Sequence, residues 1–114
     1  MRKIRFLLRR IKFWFQRRIR GYDDSLAWNI NYEFILWLKK ALILYLKQAP
    51  RIVDIEYHKF EFEGKTKTQK EMIIDLLCEC IYLEKHYYDH TEEEDKHIQR
   101  MLKIFKELYY YLWW

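Results

Sequence analysis

Turns need residues that break a regular backbone, and this chain has few of them: two glycines, Gly21 and Gly64, and one proline, Pro50, in 114 residues. All-β sandwiches turn roughly every 8 to 12 residues and spend Gly and Pro freely. A chain so poor in breakers is expected to run in long helices. Its 51% hydrophobic content, with seven Phe, five Trp and ten Tyr, argues against disorder and supplies one core. The length suits a single domain, residues 1–114, too small for two independent cores. The expected fold class is all-α: a four-helix, bundle-like single domain with an extended segment between the second and third helices.

Periodicity places the helices at about residues 2–20, 25–48, 68–88 and 91–113. Ile4, Leu7, Leu8, Ile11, Trp14, Phe15 and Ile19 recur at three- and four-residue steps and form one stripe, with Phe6 and Phe13 off it. Gly21 ends that helix, and Asp23, Asp24 and Ser25 offer caps for the next. The second helix stops before Pro50 and is apolar nearly all round, so it is read as the enclosed central element. Residues 52–63 alternate apolar and acidic side chains, but no other segment offers a clear strand partner. An extended connection, ended by Gly64, is expected there rather than a sheet. Thr68 with Glu71 and Thr91 with Glu94 carry the capping-box spacing. Met72, Ile73, Leu76, Leu77, Cys80, Ile81 and Leu83 form the inner face of the third helix. Ile98, Met101, Leu102, Phe105, Leu108, Leu112 and Trp113 form that of the fourth.

Charge is distributed unevenly. Arg2, Lys3, Arg5, Arg9, Arg10, Lys12, Arg17, Arg18 and Arg20 give the first 22 residues nine positive charges and no negative one, while the rest of the chain sums to −4. Four excess acids cannot neutralise nine bases, so a positive surface is left for phosphate, an acidic partner or anionic lipid. Three readings of the first helix stay open: docking of its stripe on the bundle, phosphate-bearing ligands, and, ranked last, a membrane surface. The stretch from residue 26 to 46 contains Glu33, Lys39 and Lys40 and fails as a bilayer span. Cys78 and Cys80, two apart on a helix, point to different faces and cannot pair, which suits a reducing cytoplasm. The basic start lacks the apolar core and cleavage site of a secretory signal.

Chemistry-bearing motifs are weak. His86, His90 and His97 with Cys78 and Cys80 do not have the paired spacing of a zinc site, so no metal or cofactor is expected. Ser25, the only serine, reads as a cap, and no glycine-rich phosphate loop is present. The chain is expected not to be an enzyme. IKFWFQRR is similar over about ten residues to the recognition helix of homeodomains, but Arg17 stands where those proteins place the adenine-reading Asn. Homology to homeodomains is rejected.

The cluster that remains is Arg17, Arg18, Arg20, Tyr22 and Trp28, around Gly21, Asp23 and Asp24. Arg18 and Arg20 can lock the turn by pairing with Asp23 and Asp24. Alternatively the guanidinium groups bind phosphate while Tyr22 or Trp28 stacks on a base. The string RRIRGYDDSLAWNINYEF resembles the signature of a family of small helical proteins of tailed phages and prophages: a basic helix, then Arg-Gly-aromatic-Asp/Ser-Asp and a Trp. Leu102, Phe105, Leu112 and Trp113 are similar to that family's closing motif. The family's Pro-Arg-Leu step is Leu36-Trp37-Leu38 here, and its Trp early in the third helix is Met72. The resemblance implies a phage origin and a helical shape, with action in the cytoplasm of an infected bacterium, and it assigns no ligand. The expected function is nonenzymatic binding: an anti-defence sponge that sequesters an anionic nucleotide-type ligand on Arg17, Arg18, Arg20, Tyr22 and Trp28. Alternatives are a module that inhibits a host defence protein and a nucleic-acid-binding accessory protein. Self-association is expected, because this much apolar surface exceeds what a four-helix monomer hides, and Tyr109 to Trp114 end the chain in six large side chains.

Overall fold

The computed structural model describes residues 2–20, 27–86 and 89–113, with residues 2 and 20 as backbone only. Contacts divide the chain into two units, Met1–Glu33 and Phe34–Trp114. Helix α1 spans Arg2–Arg20, the expected range. The capping residues expected after it, Asp23 to Ser25, lie outside the described residues. Helix α2 spans Ile30–Gln48 and so begins later than residue 25. Trp28 and Asn29 form a turn and a bend, and the Asn29 carbonyl accepts the first helical N–H, from Glu33, at 2.9 Å. Asn at the residue before a helix is a favoured cap, so the start falls where that side chain stands.

The second unit is mostly helical but not all-α. Strands β1 (Lys59–Phe62) and β2 (Lys65–Thr68) form an antiparallel hairpin in which Lys59 pairs with Thr68 and Phe62 with Lys65. This corrects the expectation of an extended connection without a sheet. The missing partner is the next segment in the chain, across a two-residue turn in which Glu63 and Gly64 have φ of 53° and 74°. Positive φ at both central residues marks the turn type whose twist matches paired strands. Residues 52–58 lie instead in turns, with Ile55 buried.

Helix α3 (Gln69–Lys85) leaves the hairpin directly. Thr68 and Glu71 form the full capping box, each side chain taking the other's backbone N–H. Gln69 and Lys70 donate their N–H groups to the carbonyls of His58 and Ile55 at 3.1 and 2.9 Å. The turns of residues 52–58 therefore satisfy donors that a helix start leaves unpaired. Helix α4 (Glu92–Leu108) begins on Thr91, whose hydroxyl accepts from the Glu94 N–H. The acids of its first turn complement the helix dipole. It ends earlier than residue 113, in a 3₁₀ turn over Tyr109–Tyr111. There the Tyr111 carbonyl accepts from Gln69 Nε2 at 2.8 Å and lies 3.2 Å from the Tyr45 hydroxyl.

The core of this unit joins Leu38 and Leu42 of α2 to Met72, Ile73, Leu76, Cys80 and Leu83 of α3 and to Met101, Ile104 and Leu108 of α4. Ile81 and Leu102, expected inside, are exposed, and Ile104 takes the position that the expected inner face of α4 omitted. Helix α2 buries one side only, leaving Trp37 and Leu44 exposed. Within the core, Tyr45 and Gln69 satisfy each other through a 3.2 Å hydrogen bond from the amide to the hydroxyl. Burial raises the Tyr45 phenol above its ordinary pKa. Tyr111 and Leu112 pack on this core, whereas Tyr109, Tyr110 and Trp113 are exposed.

Candidate functional site

Helix α1 contains no acidic residue. Of the five side chains expected to form a site, Arg17 and Arg18 are exposed on its later turns. Arg20 ends the helix with its side chain outside the described residues, and Tyr22 lies outside them altogether. Trp28 does not stand beside Arg17 or Arg18. Its ring meets Phe13 edge-on at 5.2 Å, and the Arg9 guanidinium lies 5.6 Å from its centroid. Arg18 covers a different ring, that of Trp14, at 5.4 Å.

Helix geometry explains the arrangement. Arg9 and Phe13 are one turn apart on the same face, and Phe13 is an aromatic residue off the apolar stripe. An aromatic on a basic face gains from cover, and Trp28 is the first described aromatic after the end of α1. Leu8, Arg9, Lys12, Phe13 and Trp28 line an open groove there. Trp28 keeps 57% of its surface exposed. A second open groove, along the other flank, is lined by Leu7, Arg10, Ile11, Phe13, Trp14 and Arg17. The cation–π contact holds Trp28 in place, and the rest of its indole surface remains able to stack. The off-stripe position of Phe13 is the sequence signal for this arrangement, whereas proximity in the chain points instead to the arginines nearest Gly21.

The second unit carries the other cluster of titratable groups. Glu79 of α3 is buried, accepts from Arg100 Nη1 at 2.7 Å and pairs with His97 Nδ1 at 2.5 Å. Arg100 also donates from Nε and Nη2 to Glu63 of the hairpin turn, at 2.8 Å for the closest contact. Its bond holds the Glu63 carboxyl below the usual carboxylate range, while the two acids push the guanidinium pKa upward. Lys67 of β2 binds Asp75 at 2.6 Å. The Tyr82 ring stacks on both His86 and His97, at 4.2 and 3.7 Å between centroids. These groups satisfy one another and tie the hairpin to α3 and α4, which is a structural role.

His86 Nδ1 binds Asp89 at 2.8 Å. Cys78 is exposed and Cys80 buried, as their spacing implies, and both are free thiols. Burial, aided by Glu79, pushes the Cys80 thiol up to about 11 and away from nucleophilic use. Among the described residues no three His, Cys, Asp or Glu side chains gather as metal ligands. No family model, curated protein or solved structure matches the chain.

Proposed function

We propose that the chain is a nonenzymatic binding protein that holds an anionic, nucleotide-type ligand on α1. In this reading Trp28, Arg9 and Phe13 form the platform for the base, Lys12 and Arg17 beside Phe13 attract the phosphates, and Arg18, which lies over Trp14 on the other side of the helix, adds only to the general positive field. The observation that carries it is the half-exposed Trp28 ring under the Arg9 guanidinium, on a helix with no acidic residue. Guanidinium groups bind phosphate through a fork of donors, and an indole face stacks on any base. Each desolvated charge-assisted contact is worth about 1.5–3 kcal/mol. The phage origin that RRIRGYDDSLAWNINYEF implies gives the reading its biological form: a self-associating sponge for a host defence signal in the cytoplasm of an infected bacterium. Exposed Trp37 and Leu44 on α2, with Tyr109 and Trp113, supply apolar surface for that association.

Calorimetric titration with a panel of cyclic and linear dinucleotides and ADP-ribose-type molecules tests the reading. One member is expected to bind with a dissociation constant of about 1 μM or below and to be recovered unchanged after denaturation of the protein. A silent panel together with a single host protein recovered by pull-down favours an inhibitor of that protein. Recovery of an altered ligand makes the chain an enzyme. Affinity for long nucleic acid alone, falling by roughly 0.7–0.9 log units per log of salt for each phosphate neutralised, makes it a nucleic-acid binder.

A further inference from the structure

The ligand platform leaves the other side of α1 unused. Ile4, Leu7, Ile11, Trp14, Phe15 and Ile19 form its apolar stripe, and their exposures run from 45% at Ile11 to 83% at Ile19. So large an uncovered apolar face on a helix marks a docking surface. Basic side chains border it: Lys3 and Arg10 along one flank, Arg5 and Lys12 along the other, and Arg18 over Trp14 within it. The helix has a strong apolar side, a cationic remainder, no acid and an aromatic pair, Trp14 and Phe15, within the stripe. This is the chemistry of helices that lie in a membrane interface, apolar face among the acyl chains and cations at the headgroups. Among the described residues no helix is long and apolar enough to cross a membrane.

We infer that the apolar stripe of α1 seats the protein on an anionic lipid surface, with the helix in the plane of the headgroups and the Arg9–Trp28 side facing water. Charge selects this occupant. A second copy of α1 placed stripe to stripe would bring two helices, each strongly basic and with no acidic residue in its own sequence, within about one Debye length, roughly 8 to 10 Å. Several acids of the second unit already have partners: Glu84 binds Lys39, Asp75 binds Lys67, and Glu63 and Glu79 bind Arg100. A phosphatidylglycerol surface complements both features of the helix, offering apolar depth and a high density of negative charge. The inference takes up the reading of α1 ranked last among the three left open by the sequence. It uses the opposite face from the ligand platform, so either proposal can fail alone.

Co-sedimentation of the full chain with vesicles of phosphatidylglycerol or of phosphatidylcholine tests it. Binding to the anionic vesicles is expected to exceed binding to the zwitterionic ones about tenfold and to weaken with salt. Ile11→Glu is expected to lower it about tenfold, whereas Leu102→Glu, the same charge change on exposed α4 surface, stays within about twofold of the parent. Circular dichroism verifies that both variants are folded. Brominated acyl chains are expected to quench tryptophan emission in the parent, and to quench it less in Trp14→Phe, which keeps the stripe apolar. Equal binding to both lipids, an Ile11→Glu variant that binds like the parent, or no quenching overturns the inference. So does an Ile11→Glu variant that splits an oligomer while the parent ignores vesicles, since a second copy then covers the stripe.

Discussion

Glu79 is the residue on which the second unit's polar architecture turns. It is a buried carboxylate that accepts from Arg100 on α4 while contacting His97 one turn away. Glu79→Ala leaves a guanidinium and an imidazole without their shared acceptor and is expected to cost about 2–4 kcal/mol in urea denaturation, provided the transition stays two-state. Glu63 behaves differently because it is exposed. Its carboxyl pKa is lowered in the folded chain from an ordinary value of 4.5 by the Arg100 hydrogen bond. A lowered folded pKa means the unfolded chain binds more protons in that window. The stabilisation is therefore complete above about pH 4.5 and disappears as pH falls through the lower folded value. Glu63→Gln is expected to be less stable than the parent at pH 7, with the gap closing in acid; urea midpoints that differ equally at both pH values contradict this. Neither group was legible beforehand. Charge pairs between residues 63, 79 and 100 depend on how a hairpin and two helices meet, and no local spacing encodes that.

At the scale of elements, what was legible is what short-range chemistry decides. The span of α1 follows from its repeating stripe, and the start of α3 follows from Thr68 and Glu71, whose capping box forms in full. The hairpin is not legible locally because Lys65–Thr68 has no apolar alternation, and because Gly64 reads as the end of an extended connection rather than the middle of a turn. Glycine is required there by conformation alone: an added Cβ would meet nothing within 4 Å, but φ is +74°. Gly64→Ala is accordingly expected to destabilise by about 1 kcal/mol through backbone strain, and Gly64→Asn, which tolerates that region better, by less. Equal thermal midpoints for the parent and Gly64→Ala would show that the turn can relax. The start of α2 was misplaced for a related reason. Acidic caps at Asp23 and Asp24 looked sufficient, whereas Trp28 is drawn onto Phe13 and the described helix begins only after Asn29.

Over the whole molecule, the two units differ in chemistry. The second has a closed core, a hairpin braced by ion pairs and a C-terminal turn held by Tyr45 and Gln69. The first presents a helix whose two sides have different chemistry, one with an aromatic–arginine platform and one apolar. Of the five residues expected to form a site, Trp28 has Arg9 as its guanidinium neighbour, Arg18 lies over Trp14, Arg17 is exposed, and Tyr22 and the Arg20 side chain lie outside the described residues. The central claim is that this platform binds a phosphate-bearing ligand, and the most direct measurement is calorimetric titration of the nucleotide panel into the parent, Arg9→Glu and Trp28→Ala. The account predicts that the ligand bound by the parent loses about tenfold or more in affinity with each variant, corresponding to at least about 1.4 kcal/mol, while the melting of the second unit is unchanged. A ligand that binds all three proteins equally would contradict it.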